Sequence, residues 1–574
     1  MTRNRPSLRR PVHSRVAHPE QRPERIRKPG HIADVIAGHA AVLVTLLVIA
    51  LAALVRLRLT DVPLERDEGE YAYAGQLILK GVPPYLEAYN MKFPGTYYAY
   101  ALIMALFGQT ARGIHVGLML VNAGAALIVF AIARRLADDL CAAVAATAFL
   151  ILSLDRWILG IFAHATHFVL LPALGGLLLL LVARESERLW PSLAGGTLLG
   201  MAVLMKQHAL VFVPLGVGLI AWPTTSESRA SWRRTTMKAA LLCIGATLPL
   251  GIVAAVLYRQ GALDRFWLWA VRYAKEYVSE VPLSFAWTVL SDKFTKVTHS
   301  TLVLWLVAAV GLVALALDRW PPLTRFFVFG LLATSFLGIC PGFYFREHYF
   351  ILLLPAIALL VGITAVSVRR LLSRRFSPVV SLNVTIAVLT ALAALFVVRE
   401  RSYLFSMTPR ELIRSRYGTN PFIEASEIAR YIKERTGEQE RIVVVGSEPE
   451  IYFYADRRSA SGYIYTYALM EPQAYATRMQ DEMIREIDGA HPKFLVIVDV
   501  YASWLARPES SRKIIEWAKQ YVRECYELVG VADIVSRSET RLAWGDGVRE
   551  YRPTSHDVVY TYRRTSEAPC SVAW

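Results

Sequence analysis

The sequence predicts a polytopic α-helical membrane protein that ends in a soluble α/β region, and three observations carry that reading. Of 574 residues, 55% are hydrophobic and only 19% charged, with a mean hydropathy of +0.36. A water-soluble domain seldom reaches such a balance, because its surface must be polar. Long apolar runs recur from about Ala37 to Val398 and then stop. Past that point the chain reads as one ordinary soluble domain.

Residues 1–36 form a basic tail. Nine Lys or Arg stand against two Glu between Met1 and Lys28, among Pro and Ser, which is too polar to bury a core. A nucleic-acid arm has the same composition. Beside a membrane span, the tail is expected to be disordered, cytoplasmic and in contact with anionic membrane lipids, with no nucleic-acid partner. The apolar run after it is too long for a signal-peptide core and has no convincing cleavage site, so it reads as a retained span.

Residues 37–400 form the transmembrane part. Apolar runs bounded by charge or by Pro and Gly place eleven spans, at about 37–57, 114–133, 141–155, 162–183, 193–205, 209–222, 239–258, 300–317, 323–340, 349–366 and 381–398. With the N-terminus inside, Arg229, Arg233, Arg234 and Lys238 fall in one cytoplasmic loop, and Arg369, Arg370, Arg374 and Arg375 in another. That distribution obeys the positive-inside rule. The loop 58–113 and the region 401–574 are then extracytoplasmic in a multi-pass plasma or inner membrane protein.

The loop 58–113 has structure of its own. After Asp67-Glu68-Gly69, the residues Tyr71, Ala74, Leu77 and Ile78 make an apolar stripe at helical spacing. A second piece follows Pro94, with Tyr97, Tyr98, Tyr100, Leu102 and Leu106. It is expected to lie in the membrane interface with its tyrosines at headgroup depth. In the C-terminal region, Asn420-Pro421 caps a helix running to Thr436, and further helical patterns cover about Gln473 to Ile487 and Glu509 to Val522. Arg441 to Ser447 and Lys493 to Val500 read as buried strands, giving a small α/β domain. It holds no GxGxxG, P-loop or triad. The five cysteines form no metal-ligand spacing; a Cys525–Cys570 disulfide is open.

Asp67 and Glu68 stand about ten residues beyond the first span. Alone, they suit the start of a helix, with Asp67 as N-cap and Glu68 and Glu70 as first-turn charges. Lys206 and His208 interrupt an apolar stretch, and Arg346, His348 and Tyr349 cluster before another span, all on the side of Asp67. Snorkelling or interface anchoring accounts for each of these alone. Together, a carboxylate able to take a proton and cations able to hold an anion at one membrane face suit group transfer from a lipid phosphate. His164 and His167 share a helix face three residues apart, a spacing that can bind a divalent ion but more often serves polar packing.

The loop resembles the first luminal or periplasmic loop of the dolichyl-phosphate-mannose–protein mannosyltransferase and aminoarabinose transferase-like superfamily. In that GT-C fold an acidic pair is followed by a Tyr-rich helix, G-x-x-P-Y, K-x-P and an aromatic run ending F-G. This sequence has Asp67-Glu68, Tyr71, Gly81 with Pro84-Tyr85, Lys92 with Pro94, Tyr97-Tyr98 and Phe107-Gly108. Lys92-Phe93-Pro94 stands where the family usually has Lys-Pro-Pro. The segments from Gly196 to Gly216, Phe266 to Val278 and Pro341 to Leu360 are similar to further family segments in the same order. The resemblance implies a membrane glycosyltransferase that transfers a hexosyl or pentosyl group from a polyprenyl-phosphate donor to a glycan, lipid or protein hydroxyl. It implies Asp67 as base, with Glu68 as alternative or second carboxylate. Lys92, Lys206, Arg346 and His348 would grip the donor phosphate, with Tyr344 and Tyr349 as hydroxyl donors. No cofactor is required by these motifs, although a divalent ion is compatible with them. The main rival is a multi-span transporter or lipid flippase of cell-envelope glycolipids, which intramembrane charge would also suit. A structural assembly subunit is the second.

Overall fold

The computed structural model describes residues 30–222, 229–566, 570 and 572. Most of the basic tail expected at 1–36 lies outside the described residues, and helix α1 (Gly30–Arg58) begins inside that segment. In chain order there follow α2 (Arg66–Leu79), α3 (Gly95–Phe107), α4 (Ala111–Leu136), α5 (Asp139–Leu154) and α6 (Ala165–Glu185). Then come α7 (Trp190–Met205), a 3₁₀ turn over Gln207–Val211, α8 (Phe212–Ala221) and α9 (Arg229–Arg259). Long apolar helices continue at Leu302–Leu317, Pro322–Ile339, Leu354–Leu372 and Pro378–Arg399. The chain is an integral membrane protein.

Every expected span coincides with a helix, but not every one crosses alone. Among the described residues, seven helices are long and apolar enough to cross a bilayer, or eight if Leu283–Thr298 and Leu302–Leu317, bent by 111°, count as one span. The expected spans 141–155, 193–205 and 209–222 are the short helices α5, α7 and α8. At about 1.5 Å per residue, the 16 residues of α5 or α7 fall short of a hydrocarbon layer about 30 Å thick. They are instead enclosed by neighbours. The helix 354–372 lies at the centre, with every residue from Leu354 to Val366 buried.

Helix α3 corrects a second expectation. Tyr97 and Tyr100 are almost fully buried, and the Tyr100 ring meets Tyr71 of α2 at 5.3 Å, so they are core residues rather than headgroup anchors. Leu102, Leu106 and Phe107 are exposed. An amphipathic stripe states that a face is covered, not what covers it.

The C-terminal region forms a five-stranded sheet in the order β1-β2-β5-β3-β4. β1 (Ile442–Val445) and β2 (Phe494–Asp499) are parallel neighbours, with Val443 opposite Leu495. β3 (Tyr526–Asp533), β4 (Arg541–Trp544) and β5 (Val558–Arg564) pair antiparallel. The two strands legible as apolar runs are the parallel ones, because both of their faces are covered. Helices Phe422–Lys433, Ala476–Ala490 and Lys513–Cys525 match the expected ones closely. Cys525 and Cys570 form a disulfide, Cα atoms 5.9 Å apart.

This sheet region packs directly on α2. Arg66 donates to the Ser447 carbonyl (2.6 Å), Tyr467 Oη (2.8 Å), Asn420 Oδ1 (3.0 Å) and Glu448 Oε1 (2.7 Å). A methyl group at Gly69 would sit 2.7 Å from Glu450 Cβ, so only glycine permits this approach. The first loop and the sheet region therefore form one end of the molecule.

Candidate active site

The site begins with the way α2 starts. Its N-cap is Glu65, whose carboxylate accepts the Glu68 amide (2.9 Å), while the Glu68 carboxylate accepts the Glu65 amide (3.2 Å). This reciprocal capping box satisfies two free amides and turns Glu68 inward. There Glu68 also accepts the Ala163 amide (2.5 Å) and meets His115 Nε2 (3.0 Å), with its side chain 0% exposed. Asp67, one residue earlier and about 100° round the helix, faces a cavity and is 19% exposed. Two adjacent acids thus have separate fates, and Glu68 does not reach the cavity.

That cavity is about 500 Å³, within the range of ligand pockets. The Asp67 carboxylate is paired with Lys92 Nζ at 2.8 Å, and the Tyr465 hydroxyl donates to the same oxygen at 3.1 Å. Its other oxygen lies 3.6 Å from His164 Nδ1. Burial alone would raise the Asp67 pKa. Lys92, helped by His164, more than offsets this and holds it well below the usual carboxylate range. Glu65 behaves oppositely. Burial, then the neighbouring charges of Asp67 and Glu68, push its carboxyl well above the usual range.

Lys92 also binds Glu70 at 2.7 Å, so two carboxylates hold its ammonium. It lines the cavity, yet as the partner of Asp67 rather than as an unclaimed cation. Lys206 and Arg346 also line the cavity. Lys206 sits at the break between α7 and α8 in extended conformation, φ −160°, with Nζ 3.9 Å from the Tyr349 ring centre. Arg346 follows an irregular stretch in which Gly342, Phe343 and Phe345 all have positive φ, at 74°, 52° and 43°. Such angles are strained for bulky residues and persist only where the surroundings impose them. Neither Lys206 nor Arg346 forms an ion pair among the described residues; each lies instead against a tyrosine ring. Burial lowers the Lys206 pKa to about 7.

His348 stacks on His164, ring centres 4.1 Å apart, and Tyr349 lines the cavity beside it. Of the predicted residues, the structure therefore brings together Asp67, Lys92, Lys206, Arg346, His348 and Tyr349. Tyr344 is outside: its hydroxyl donates to Glu280 (2.9 Å) and its ring stacks on Tyr277. Residues that the sequence reading missed also line the cavity, namely Glu65, Tyr277, Tyr465, Tyr467 and Glu471. Three belong to the C-terminal region, where the alternating tyrosines of Gly462 to Tyr467 were the only signal.

Asp67, His164 and His348 bring one ligand atom each within 4.8 Å of one another, the set that could hold a divalent cation. Both ring nitrogens of the buried His164 lack a hydrogen-bond partner among the described residues, and one carboxylate with two imidazoles suits a zinc-like ion. The expected pair His164 and His167 does not converge in this way. His167 Nδ1 instead meets Asn122 Oδ1 at 3.1 Å, a polar packing contact.

The structure of ArnT from Cupriavidus metallidurans in the apo state aligns with 91% of this chain and 98% of its own length, with TM-score 0.54 and 14% identity. The same protein bound to undecaprenyl phosphate aligns over 92% and 99%, with TM-score 0.53 and 14% identity. This chain has the GT-C fold. An oligosaccharyltransferase from Archaeoglobus fulgidus aligns less well, over 89% of this chain and 75% of its own, with TM-score 0.48 and 13% identity. The family model described as dolichyl-phosphate-mannose-protein mannosyltransferase matches residues 91–258, under a third of the chain. That stretch contains Lys92, His164 and Lys206 but neither Asp67 nor Arg346. No curated protein sequence matches the chain.

Proposed function

We propose that the protein is a membrane glycosyltransferase that moves a hexosyl or pentosyl group from a polyprenyl-phosphate donor to an acceptor hydroxyl on the extracytoplasmic face. One observation carries this: a carboxylate and two cations that form no ion pair among the described residues line one cavity at the end of a membrane bundle. The undecaprenyl phosphate bound by ArnT, which shares the fold, supports a donor of that class.

Asp67 accepts the proton of the acceptor hydroxyl as its oxygen attacks the anomeric carbon. The bond from that carbon to the phosphate oxygen breaks, and the phosphate leaves with the electron pair. Lys206 and Arg346, with His348 and Tyr349, hold the charge that develops there. Lys92 is a positioning residue: its ammonium fixes the Asp67 carboxylate and keeps it ionised. A divalent cation on Asp67, His164 and His348 would add positive charge at the same carboxylate, which Lys92 already supplies. Glu68 and Tyr344 have no direct part.

Residues 37–400 form the transferase body in this reading, and residues 401–574 an extracytoplasmic cap over its site. The N-terminus is cytoplasmic, as the basic loops require. The test is transfer of labelled sugar from a polyprenyl-phosphate sugar by purified protein in detergent. Wild type should form a new glycosidic bond, and Asp67→Asn should lose activity roughly 10³-fold while staying folded. Unchanged turnover in Asp67→Asn, or translocation of the lipid without bond formation, overturns the reading.

A further inference from the structure

The two oxygens of Asp67 meet different partners. One carboxylate oxygen faces His164, which stacks on His348 in the cationic wall. The other is shared by Lys92 Nζ and the Tyr465 hydroxyl. Residues 465–471 of the C-terminal region build this second wall. Tyr465 and Tyr467 are half-buried, both line the cavity, and their rings meet edge to face at 5.0 Å. Glu471 follows on the next turn. One of its oxygens accepts the Tyr273 hydroxyl at 2.5 Å, and the other has no partner among the described residues. Burial lifts its carboxyl to about 7. The segment brings no cation to the cavity.

In a direct displacement the acceptor oxygen approaches the anomeric carbon from the side opposite the leaving phosphate, and the base stands on the acceptor's side. With the phosphate on Lys206 and Arg346, the acceptor enters where Tyr465 touches Asp67. We propose that Tyr465, Tyr467 and Glu471 form the acceptor subsite and that the acceptor they select is a carbohydrate. This rests on the transferase reading above and narrows its acceptor class.

The chemistry of the wall decides the class. A sugar ring offers C–H faces that pack on tyrosine rings and hydroxyls that donate to a carboxylate and exchange hydrogen bonds with phenols. A peptide acceptor would use an open strand edge or an apolar helix groove, which this segment does not provide. A phosphorylated acceptor would need cations free to bind it, whereas the two beside this wall, Arg66 and Lys92, are already held by Glu448 and by Asp67 and Glu70.

The test measures binding by full-length protein in detergent. The probes are undecaprenyl phosphate, neutral mannan and arabinan oligosaccharides, a Ser/Thr-rich peptide and vesicles containing a phosphorylated glycolipid. Wild type should bind at least one of the oligosaccharides. Glu471→Gln, which keeps shape, and Tyr465→Leu should each weaken that binding about tenfold without weakening undecaprenyl phosphate. The proposal is overturned if no oligosaccharide binds, if its binding survives both variants, or if the peptide or vesicles bind through Glu471 instead. An equal loss of undecaprenyl phosphate binding in the variants would assign the wall to the donor and overturn it too. Failure of wild type to bind undecaprenyl phosphate at all would strike the transferase reading rather than this subsite.

Discussion

The two walls of the cavity are built on opposite plans. Around Asp67 the charges are paired: Asp67 has Lys92 and Tyr465, Lys92 has Glu70 as well, and Glu70 accepts the Tyr97 hydroxyl at 2.7 Å. Lys206 and Arg346 line the same cavity against tyrosine side chains, with no carboxylate paired to either among the described residues. A buried charge without a counter-ion is costly, so such groups persist where an anion completes them. The acidic wall is preorganised, and the cationic wall is unfinished until a ligand arrives.

The largest effect that can break this comparison comes from the two neighbouring acids. Asp67→Asn should abolish transfer with little change in melting temperature. Glu68→Ala should do the reverse, since it strips the capping box and leaves His115 and the Ala163 amide without their acceptor. The expected loss is about 2–4 kcal/mol of stability, read by thermal melting, with activity per folded molecule retained. If Glu68→Ala melts normally yet is inactive, the division of labour between the two residues is wrong.

Next in size is Arg66, which ties the acidic wall to the sheet region. Arg66→Ala leaves Glu448 buried and unpaired, a change of about 3–5 kcal/mol. Limited proteolysis between residues 400 and 440 should accelerate sharply, and transfer should fall because Tyr465 no longer seats against Asp67. Normal protease resistance would show that the cap docks by other contacts.

The cationic wall is sharpened by pH. Burial lowers the Lys206 pKa to about 7, so its ammonium is present below that pH and is lost as pH rises through it. Affinity for a phosphodiester donor, which does not titrate in this range, should fall by up to about tenfold per pH unit above 7. Lys206→Arg should flatten the profile, because a guanidinium stays charged. A flat profile in wild type would show that Lys206 does not meet the phosphate. The smallest expected effect is that of chelation. Since Lys92 already neutralises Asp67, EDTA should change transfer by less than about twofold, and a complete loss rescued by zinc would make Asp67, His164 and His348 a required metal site.

Much of the architecture was legible in the sequence because bilayer thickness and apolar length are tied together. Helix positions, the C-terminal sheet region and its two parallel strands followed from runs of apolar residues. Antiparallel β5 was not legible: its pattern Val558 to Arg564 carries Tyr, Thr and Arg, and only its place between β2 and β3 buries Val559 and Thr561. Short helices α5 and α7 looked like spans because enclosure by protein and enclosure by lipid select the same apolar residues.

By itself, the sequence determined that the protein is a membrane bundle with acids and cations set near its ends, since charge within apolar runs is read residue by residue. Tertiary structure alone decided which acid faces the cavity, that Lys92 is claimed by two carboxylates, and that Tyr465, Tyr467 and Glu471 stand about 400 positions beyond Asp67 yet share its wall. The reason is geometric. A capping box sends two adjacent side chains about 100° apart round a helix, and contacts between distant segments leave no local pattern to read.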